Sequence, residues 1–534
     1  MPANENYLSP FYIKLDGKPA PKEIMDSLIE IVVEDNLHLP DMFIIQLHDS
    51  GLKWTNSDLF AMGKPVEISA QSPQPHSRQL GNRTLLMDGE ITGLEPDLSE
   101  NGVPTLTIRG YDRAYRLHQG RRTRSFLKST DSEIVQRLAE EVKLKTDNVK
   151  PTNTIHAHVV QNNQTNMEFL LSRARRLGYD FFVEGETLFF GPPESVNSQR
   201  PKLSWGANLL SFRPCLSIVH QVDEVVVRGW DPLIKREIVG RAMETNSHPQ
   251  VAGAKKAEQH FKGSNQVLIS QPVENQAEAD TLAQGLRDEL GGQLIQAEGV
   301  CLGDPQIGAG SQIEIEGLGS QFDGKYFITA AIHAYRTKEV YRTSFTIGGR
   351  EPQTLSALLG RNSRSFDPSH GVVVGIVTNN KDPEELGRIK VKYPGLDDLD
   401  ESPWVRIASP MAGEKRGFYY LPEVNDEVLI AFEQGNVHRP YMLGMLWNGP
   451  DKPPKTNEKV IGSDGKVNQR ILRSRSGHEI VLDDTSGQEK IIISDRAGNT
   501  ITMAKDSMTI KVKADLEIEA GGKITIRGKS IDLN

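Results

Sequence analysis

Cysteine is scarce: 2 residues, Cys215 and Cys301, in a chain of 534. Two thiols build neither a disulfide framework nor a zinc site. They read as small buried residues of a chain kept in a reducing compartment. Long apolar runs are missing too. Val222–Val227 is broken by charge and Ile491–Ile493 is short, far from the ~20 apolar residues of a spanning helix. The opening MPANENYLSPFYIKLDG has no basic region followed by an apolar core, so no secretory signal is expected. Excess positive charge is absent as well. The net charge of -9 argues against a general nucleic-acid binder, which needs a concentrated basic surface.

What is present is ordinary for a soluble, turn-rich protein: 37% hydrophobic and 25% charged residues, 47 Gly and 30 Pro. The length predicts three or four domains. Residues 1 to about 120 alternate apolar and polar positions in short runs, FYIKLDG, MFIIQLHD, KPVEISA, GEITGLEP and PTLTIRGYD, the pattern of strands with one buried face. Helical spacing follows. DSEIVQRLAEEVKL sets Ile134, Leu138 and Val142 four apart, with Ser132 or Asp131 expected to cap its first turn. TNMEFLLSRARRLGYD puts Met167, Leu170, Leu171, Ala174 and Leu177 on one face and stops at Gly178. FFVEGETLFFG reads as a hairpin, and NQAEADTLAQGLRDELGG as a third helix.

The segment near 300–350 repeats the opening pattern. VEIS at Val66 matches IEIE at Ile313, DGEIT at Asp88 matches DGKYFIT at Asp323, and TLTIRG at Thr105 matches SFTIGG at Ser344. This predicts two related β-barrel halves, in residues 1–355, around an α/β insertion at about 121–295. Short strand patterns carry little information, so chance similarity stays an alternative. Residues 356–369 read as a connector, and 370–449 as a small closed barrel of OB type, whose closure removes exposed edges. NGPDKPPKTN, from Asn448 to Asn457, reads as a stiff Pro-rich linker, the linker segment being 450–469.

From 470 to 534 only strands and turns are expected. SGHEIVL at Ser476 and AGNTITM at Ala497 share a pattern; then Met508, Leu516 and Ile524 fall eight apart, as do Ile510, Ile518 and Ile526. A fixed short period marks a solenoid. Five-residue strands are marginal alone, and eight-residue units are too short for one chain to enclose a core. Three identical chains winding on one axis solve this, with Met508, Ile510, Leu516, Ile518, Ile524, Ile526, Ile531 and Leu533 as the shared core. Lys511, Lys513, Glu517, Glu519 and Arg527 then face outward and keep the rod soluble.

In this order the parts resemble a known family. GRIKVKYPGLD, SPWVRIASPMAG, GFYYLPEVNDEVLIAFEQGN and HRPYMLGMLWNG resemble the spike barrel of VgrG-type proteins, TNMEFLLSRARRLGYDFFVEGETLFFG resembles their hub, and the terminal repeats resemble their trimeric needle. The divergence of the barrel and the compact length look more like the spike of extracellular contractile injection systems. The resemblance implies a mainly β chain with α/β insertions: phage-tail-hub barrels, an OB-fold barrel and a C-terminal trimeric intertwined β-helix. It implies a homotrimer at the tip of an inner tube, driven through a target envelope when a sheath contracts. Three chains of two barrel halves would make a pseudo-sixfold ring, matching a six-fold tube to a three-fold needle. Implied partners are the inner-tube protein, baseplate proteins, a PAAR-type tip protein resting on Ile531, Asp532, Leu533 and Asn534, and cargo effectors. A target membrane would be met only on firing, and no nucleic acid is expected. Assembly in the producer cytoplasm and release without a signal peptide follow from the same resemblance.

Chemistry-bearing motifs are weak. His156 and His158 form an H-x-H pair with no third ligand nearby in sequence, below the count a metal needs. Arg527–Ser530, RGKS, lacks the Gly spacing and following helix of a phosphate loop. The acidic run LDDLDES at Leu396 reads as a solvated barrel loop. GRRTRSFLK at Gly120 and RARR at Arg173 read as salt-bridged or solvated faces. No room for an enzyme domain separates barrel and needle. The reading is therefore a non-enzyme without cofactor or metal. Its rivals are a type VI secretion spike carrying effectors and a trimeric β-helical tail-spike that degrades carbohydrate. The latter needs a carboxylate pair in a groove, for which Asp483 and Asp484 are adjacent and point apart.

Overall fold

In the computed structural model, residues 11–532 are described except 38, 74–79, 101, 193–200, 220, 246–249, 258–264, 269–272, 274, 338, 349–370 and 395–400. The connector at 356–369, most of the acidic run at Leu396, and Leu533 and Asn534 lie outside the described residues. The chain divides into two units, 1–444 and 445–534.

Period-two alternation builds the first half of the hub. Its strands are β1 (Phe11–Leu15), β2 (Leu28–Asn36), β3 (Met42–His48), β4 (Pro65–Pro73), β5 (Leu80–Asp97) and β6 (Thr105–Tyr111). Their inward positions, among them Ile31, Phe43, Ile45, Ile68 and Ile108, are fully buried together.

The insertion begins with β7 (Arg122–Ser129), α1 (Asp131–Glu141), β8 (Lys145–Val149), β9 (His156–Gln164), α2 (Asn166–Leu177), β10 (Asp180–Glu184) and β11 (Thr187–Gly191). Thr165 and Glu168 close a capping box on α2, and Gly178 ends it at φ 64°. α1 is capped by Thr130 with Glu133, one residue before the expected Asp131. Asp131 is instead turned inward, with its side chain 1% exposed, where it holds Arg173 and His156. β12 (Lys202–Ser204) and β13 (Leu209–Leu216) then join the sheet of the second half, while β14 (Glu224–Asp231), β15 (Arg236–Ala242) and β16 (Asn265–Leu268) form a separate sheet packed with α3 (Gln276–Gly292).

The second half comprises β17 (Ile295–Leu302), β18 (Gln312–Glu316), β19 (Gly324–Arg336) and β20 (Arg342–Ile347). It has its own core around Ile295, Ile313, Tyr326 and Phe345. It repeats the first. β4–β5–β6 and β18–β19–β20 are each consecutive antiparallel strands. β3 flanks β6 as β17 flanks β20, and β2 flanks β3 as β13 flanks β17. Ile91 bonds the backbone of Gly63 and Lys64, and Ile328 does the same with Gly310 and Ser311. A register shift follows each of them.

Val66 thus corresponds to Ile313, as the sequence predicts. Gly110 corresponds to Ile347, so TLTIRG matches RTSFTI, two residues from the predicted SFTIGG. An even shift leaves the same side chains on the same face, so alternation cannot detect it.

The halves share one sheet, in the order β13–β17–β20–β19–β2–β3–β6–β5–β4–β1. The seam is β19 with β2, from Ala330↔Asn36 to Arg336↔Glu30. Asp35 crosses it, accepting a hydrogen bond from the Ala309 amide at 2.8 Å. It sits beside a cavity of about 680 Å³ that Asp41, Glu184 and His333 also line.

The small barrel contains β21 (Val372–Asn379), β22 (Lys390–Lys392), β23 (Arg406–Ile407), β24 (Glu427–Phe432) and β25 (Pro440–Met445), ordered β22–β21–β24–β25–β23. Val377, Ile389, Val391, Val428 and Ile430 fill it. GFYYLP, whose composition predicts a strand, forms one only at Gly417, which pairs with Ala412: Phe418, Tyr419 and Tyr420 are exposed and outside any strand. Asp382 ties one loop, accepting from the Glu384, Leu386 and Arg388 amides and from the Arg388 guanidinium at 2.7 and 2.9 Å.

Candidate functional site in open faces and edges

The second unit holds an antiparallel meander: β26 (Gln469–Arg473), β27 (Glu479–Asp483), β28 (Lys490–Ser494), β29 (Thr500–Ala504) and β30 (Ser507–Lys511). The shared pattern of SGHEIVL and AGNTITM places Gly477 and Gly498 in equivalent hairpin turns, at φ 93° and 90°.

Register sorts its side chains into rows. Leu472, Ile480, Ile493, Ile501 and Ile510 are cross-strand partners in sequence, as are Leu482, Ile491, Met503 and Met508. These two rows make one apolar face, and it is open: Met508 is 62% exposed and Ile510 50%. The opposite face is largely polar. There Lys455 bonds Gln469 and pairs with Glu479, and Gln469 bonds Asp483. A sheet with a bare apolar face of this extent marks an association surface.

Beyond Lys511 the expected strands have no ladder. Residues 512–532 carry no assigned strand, and Leu516, Ile518, Ile524, Ile526 and Ile531 are 49–67% exposed. Asp532 is exposed too. The single chain is therefore a meander with a strandless tail, not a β-helix. The eight-residue period gives each short segment nothing to pair with in its own chain.

The hub carries a second unsatisfied feature. The outer edge of β5 past Ile91, and the free edge of β13, have no strand partner among the described residues. In the internal repeat these edges are the counterparts of β19 and β2, which do pair. Carried across the repeat, the Ala334↔Val32 pair becomes Asp97 opposite Arg213, both exposed. The His333↔Val33 pair becomes Pro96 opposite Pro214. Prolines cannot donate, so they protect a lone edge from promiscuous pairing and leave a gap in any ladder built there. Cys215 lies on β13 and is exposed, against the expectation that both thiols are buried; only Cys301 is.

Candidate chemistry resolves into structural bonds. Arg173 donates to Asp131, Arg176 pairs with Glu278, Arg121 with Glu168 at 2.8 Å and Arg124 with Glu141 at 2.7 Å. Both basic clusters thus meet carboxylates of their own chain. His156 bonds Asp131 at 2.9 Å, which, led by burial against it, is held below the ordinary carboxylate range by His156 and Arg173. His158 faces a third histidine, His438 of the small barrel, with ring centroids 6.3 Å apart. Nothing in sequence could announce that meeting across two domains. No group of three metal-ligating side chains occurs among the described residues. Asp483 bonds Gln469 and Thr485, whereas Asp484 pairs with Arg470, so the two carboxylates turn apart. Arg527–Ser530 lies in the exposed tail with no helix after it.

Comparison with known proteins agrees with this layout. Residues 7–337 match the Alg8 N-terminal domain family, 373–447 the type VI secretion system/phage-baseplate injector OB domain, and 469–534 the phage baseplate V C-terminal trimerisation domain. The type VI secretion system spike protein VgrG1a of Pseudomonas aeruginosa is 24% identical over 226 residues, 38% of this chain and 33% of that protein. VgrG2a of the same organism is 24% identical over 141 residues, 25% of this chain and 16% of that protein. The chain thus spans a third or less of the length of these relatives. A chain of the Francisella PdpA-VgrG complex shares the fold over 96% of this chain and 81% of its own, at a TM-score of 0.55 and 11% identity. The chain belongs to the family of the Alg8 N-terminal domain and is a VgrG-type spike protein, in which that domain, an injector OB domain and a trimerisation domain follow one another in that order.

Proposed function

We propose that three copies of this chain form the hub and puncturing spike at the end of an injection tube. The observation that carries this is the internal repeat. One chain already joins a second half to a first half through β19 and β2, and it leaves the equivalent edges, β5 and β13, open. Pairing each open β5 with the β13 of the next copy closes the ring. Eight strands per copy, from β13 to β5 along the sheet order, make twenty-four in three copies. The halves then alternate six times around a three-fold axis, which suits a six-fold tube on one side.

On the other side the needle faces meet. The apolar rows of three meanders, and Leu516, Ile518, Ile524, Ile526, Ile531 and Leu533 after them, cover one another. Each tail segment gains ladder partners from its neighbours. A rod of this kind transmits axial force, because no chain leaves it without breaking the ladders of the other two. The role is mechanical, and no chemical step is assigned to the chain. A separate tip protein binds the needle, the tube and baseplate proteins bind the hub, and cargo rides on the spike. The Francisella PdpA-VgrG complex supports a further bound protein. Assembly takes place in the producer cytoplasm, and delivery outside the cell follows with the particle.

The test is a charge exchange at the closing seam. Asp97→Arg and Arg213→Asp each lower the fraction of trimer, and the double exchange restores it. A double variant no better than the singles overturns the proposed closure.

A further inference from the structure

The small barrel is seated on the hub by the loop between β24 and β25. Arg439 of that loop donates to the carbonyls of Trp230 and Val273 and pairs with Glu433 at 3.2 Å. Beside it, His438 sets its ring against His158 of β9, with the planes 70° apart. The backbone amide of His438 donates to Asn436, but its ring Nδ1 is buried with no hydrogen-bond partner among the described residues. Next to the His158 ring is a crevice of about 30 Å³ bordered also by Asn162, Tyr393 and Val437. That is room for a water or two. Asn162 Oδ1 is likewise buried without a partner among the described residues.

The charges around His438 are almost all of one sign. Arg173 and Arg176 approach from α2, and His156 and His158 from β9. The nearby carboxylates are engaged elsewhere: Asp131 with Arg173 and His156, Glu278 with Arg176, Glu433 with Arg439. On the rim of the crevice, Arg124 is held by Glu141 and Glu401 by Lys390. A proton arriving on His438 finds no counter-ion and two arginines.

We propose that this joint is a proton-sensitive latch: the barrel loop stays seated on the hub while His438 is neutral and lifts off when the ring is protonated. Seated, burial first and then Arg173, His158, Arg176 and His156 push His438 down to about 3. Lifted into water, the ring returns to the ordinary value near 6.5. Above that pH both states are neutral and the joint does not respond. Below it only the lifted state binds the proton. The ratio of lifted to seated then rises about tenfold per pH unit, about 100-fold by pH 4.5, and levels off near pH 3. The latch lies within one chain, so it stands or falls independently of the trimer. It would let the spike barrel part from the hub in an acidified medium.

Hydrogen exchange on the full chain tests this, read at 433–439 and β9 and corrected for the intrinsic pH dependence of exchange. The hub strands β17–β20 serve as internal reference. Protection at the joint is expected to fall about 100-fold relative to the reference between pH 6.5 and 4.5, and the fall is expected to vanish in His438→Gln. Constant protection of the unmodified chain over that range overturns the latch, whether or not the variant folds. So does an equal fall in the variant.

Discussion

Ile526→Asp is the sharpest perturbation of the needle. Ile526 is 67% exposed in one chain. Full burial of such a side chain is worth ~1.5–3 kcal/mol, so closing the needle over it contributes about 1–2 kcal/mol per chain, roughly 3–6 kcal/mol per trimer. The aspartate removes that and brings three carboxylates together in a water-poor axis, at a cost of several kcal/mol per unpaired ion at neutral pH. Protonation relieves the second part, so the defect shrinks in acid. Arg527→Ala, one residue on and of the outward phase, changes stability by less than about 0.5 kcal/mol. The assay is denaturant unfolding of the assembled protein, together with hydrogen exchange over 512–532, at pH 7.5 and 4. Protection of this tail is expected in the unmodified protein and in Arg527→Ala, and its loss in Ile526→Asp. Equal behaviour of the two variants refutes the assignment of the inward face.

Other variants test the hub and barrel. Asp131→Ala leaves Arg173, 8% exposed, without its buried carboxylate; a loss of about 3–5 kcal/mol is expected in urea unfolding. Asp35 is pushed up to about 7, by burial before all else. Its folded form therefore holds a proton that the unfolded form releases near 3.8, so its contribution is present in acid and lost as pH rises from about 4 to about 7. Asp35→Asn should flatten the decline of hub stability across that window, measured as the urea midpoint at pH 5 and 7.5. Asp382 behaves oppositely, being held far below the carboxylate range, first by its bonds to Arg388. Asp382→Asn is expected to cost about 1.5–3 kcal/mol at neutral pH, and the difference from the unmodified chain should narrow only as pH falls well below 4.

Local signals explain which parts were legible in the sequence. Alternation located the hub strands and the open face through Met508 and Ile510, because a strand with one buried face writes its period into the chain. Helical spacing from Met167 to Leu177 and the stop at Gly178 located α2 in the same local way, whereas its Thr165–Glu168 box emerged only from the structure. Features that depend on distant partners were silent. An alternating strand cannot report an even register shift, so TLTIRG was matched two residues from its counterpart. GFYYLP reads as a strand by composition, yet past Gly417 it lies outside every ladder. The seam of β19 with β2, the inward turn of Asp131 and the meeting of His158 with His438 join residues from separate parts of the chain. No short window contains both members. The tail is the reverse case, since its pattern is plain and its partners lie in no part of the same chain.

In the proposed trimer, three chains complete what one leaves open. Sedimentation equilibrium of the purified 534-residue chain reads this without a variant. A single species of about 178 kDa is expected, three times the 59.3 kDa of one chain, independent of dilution through the low micromolar range. A species near 59.3 kDa at those concentrations would contradict it.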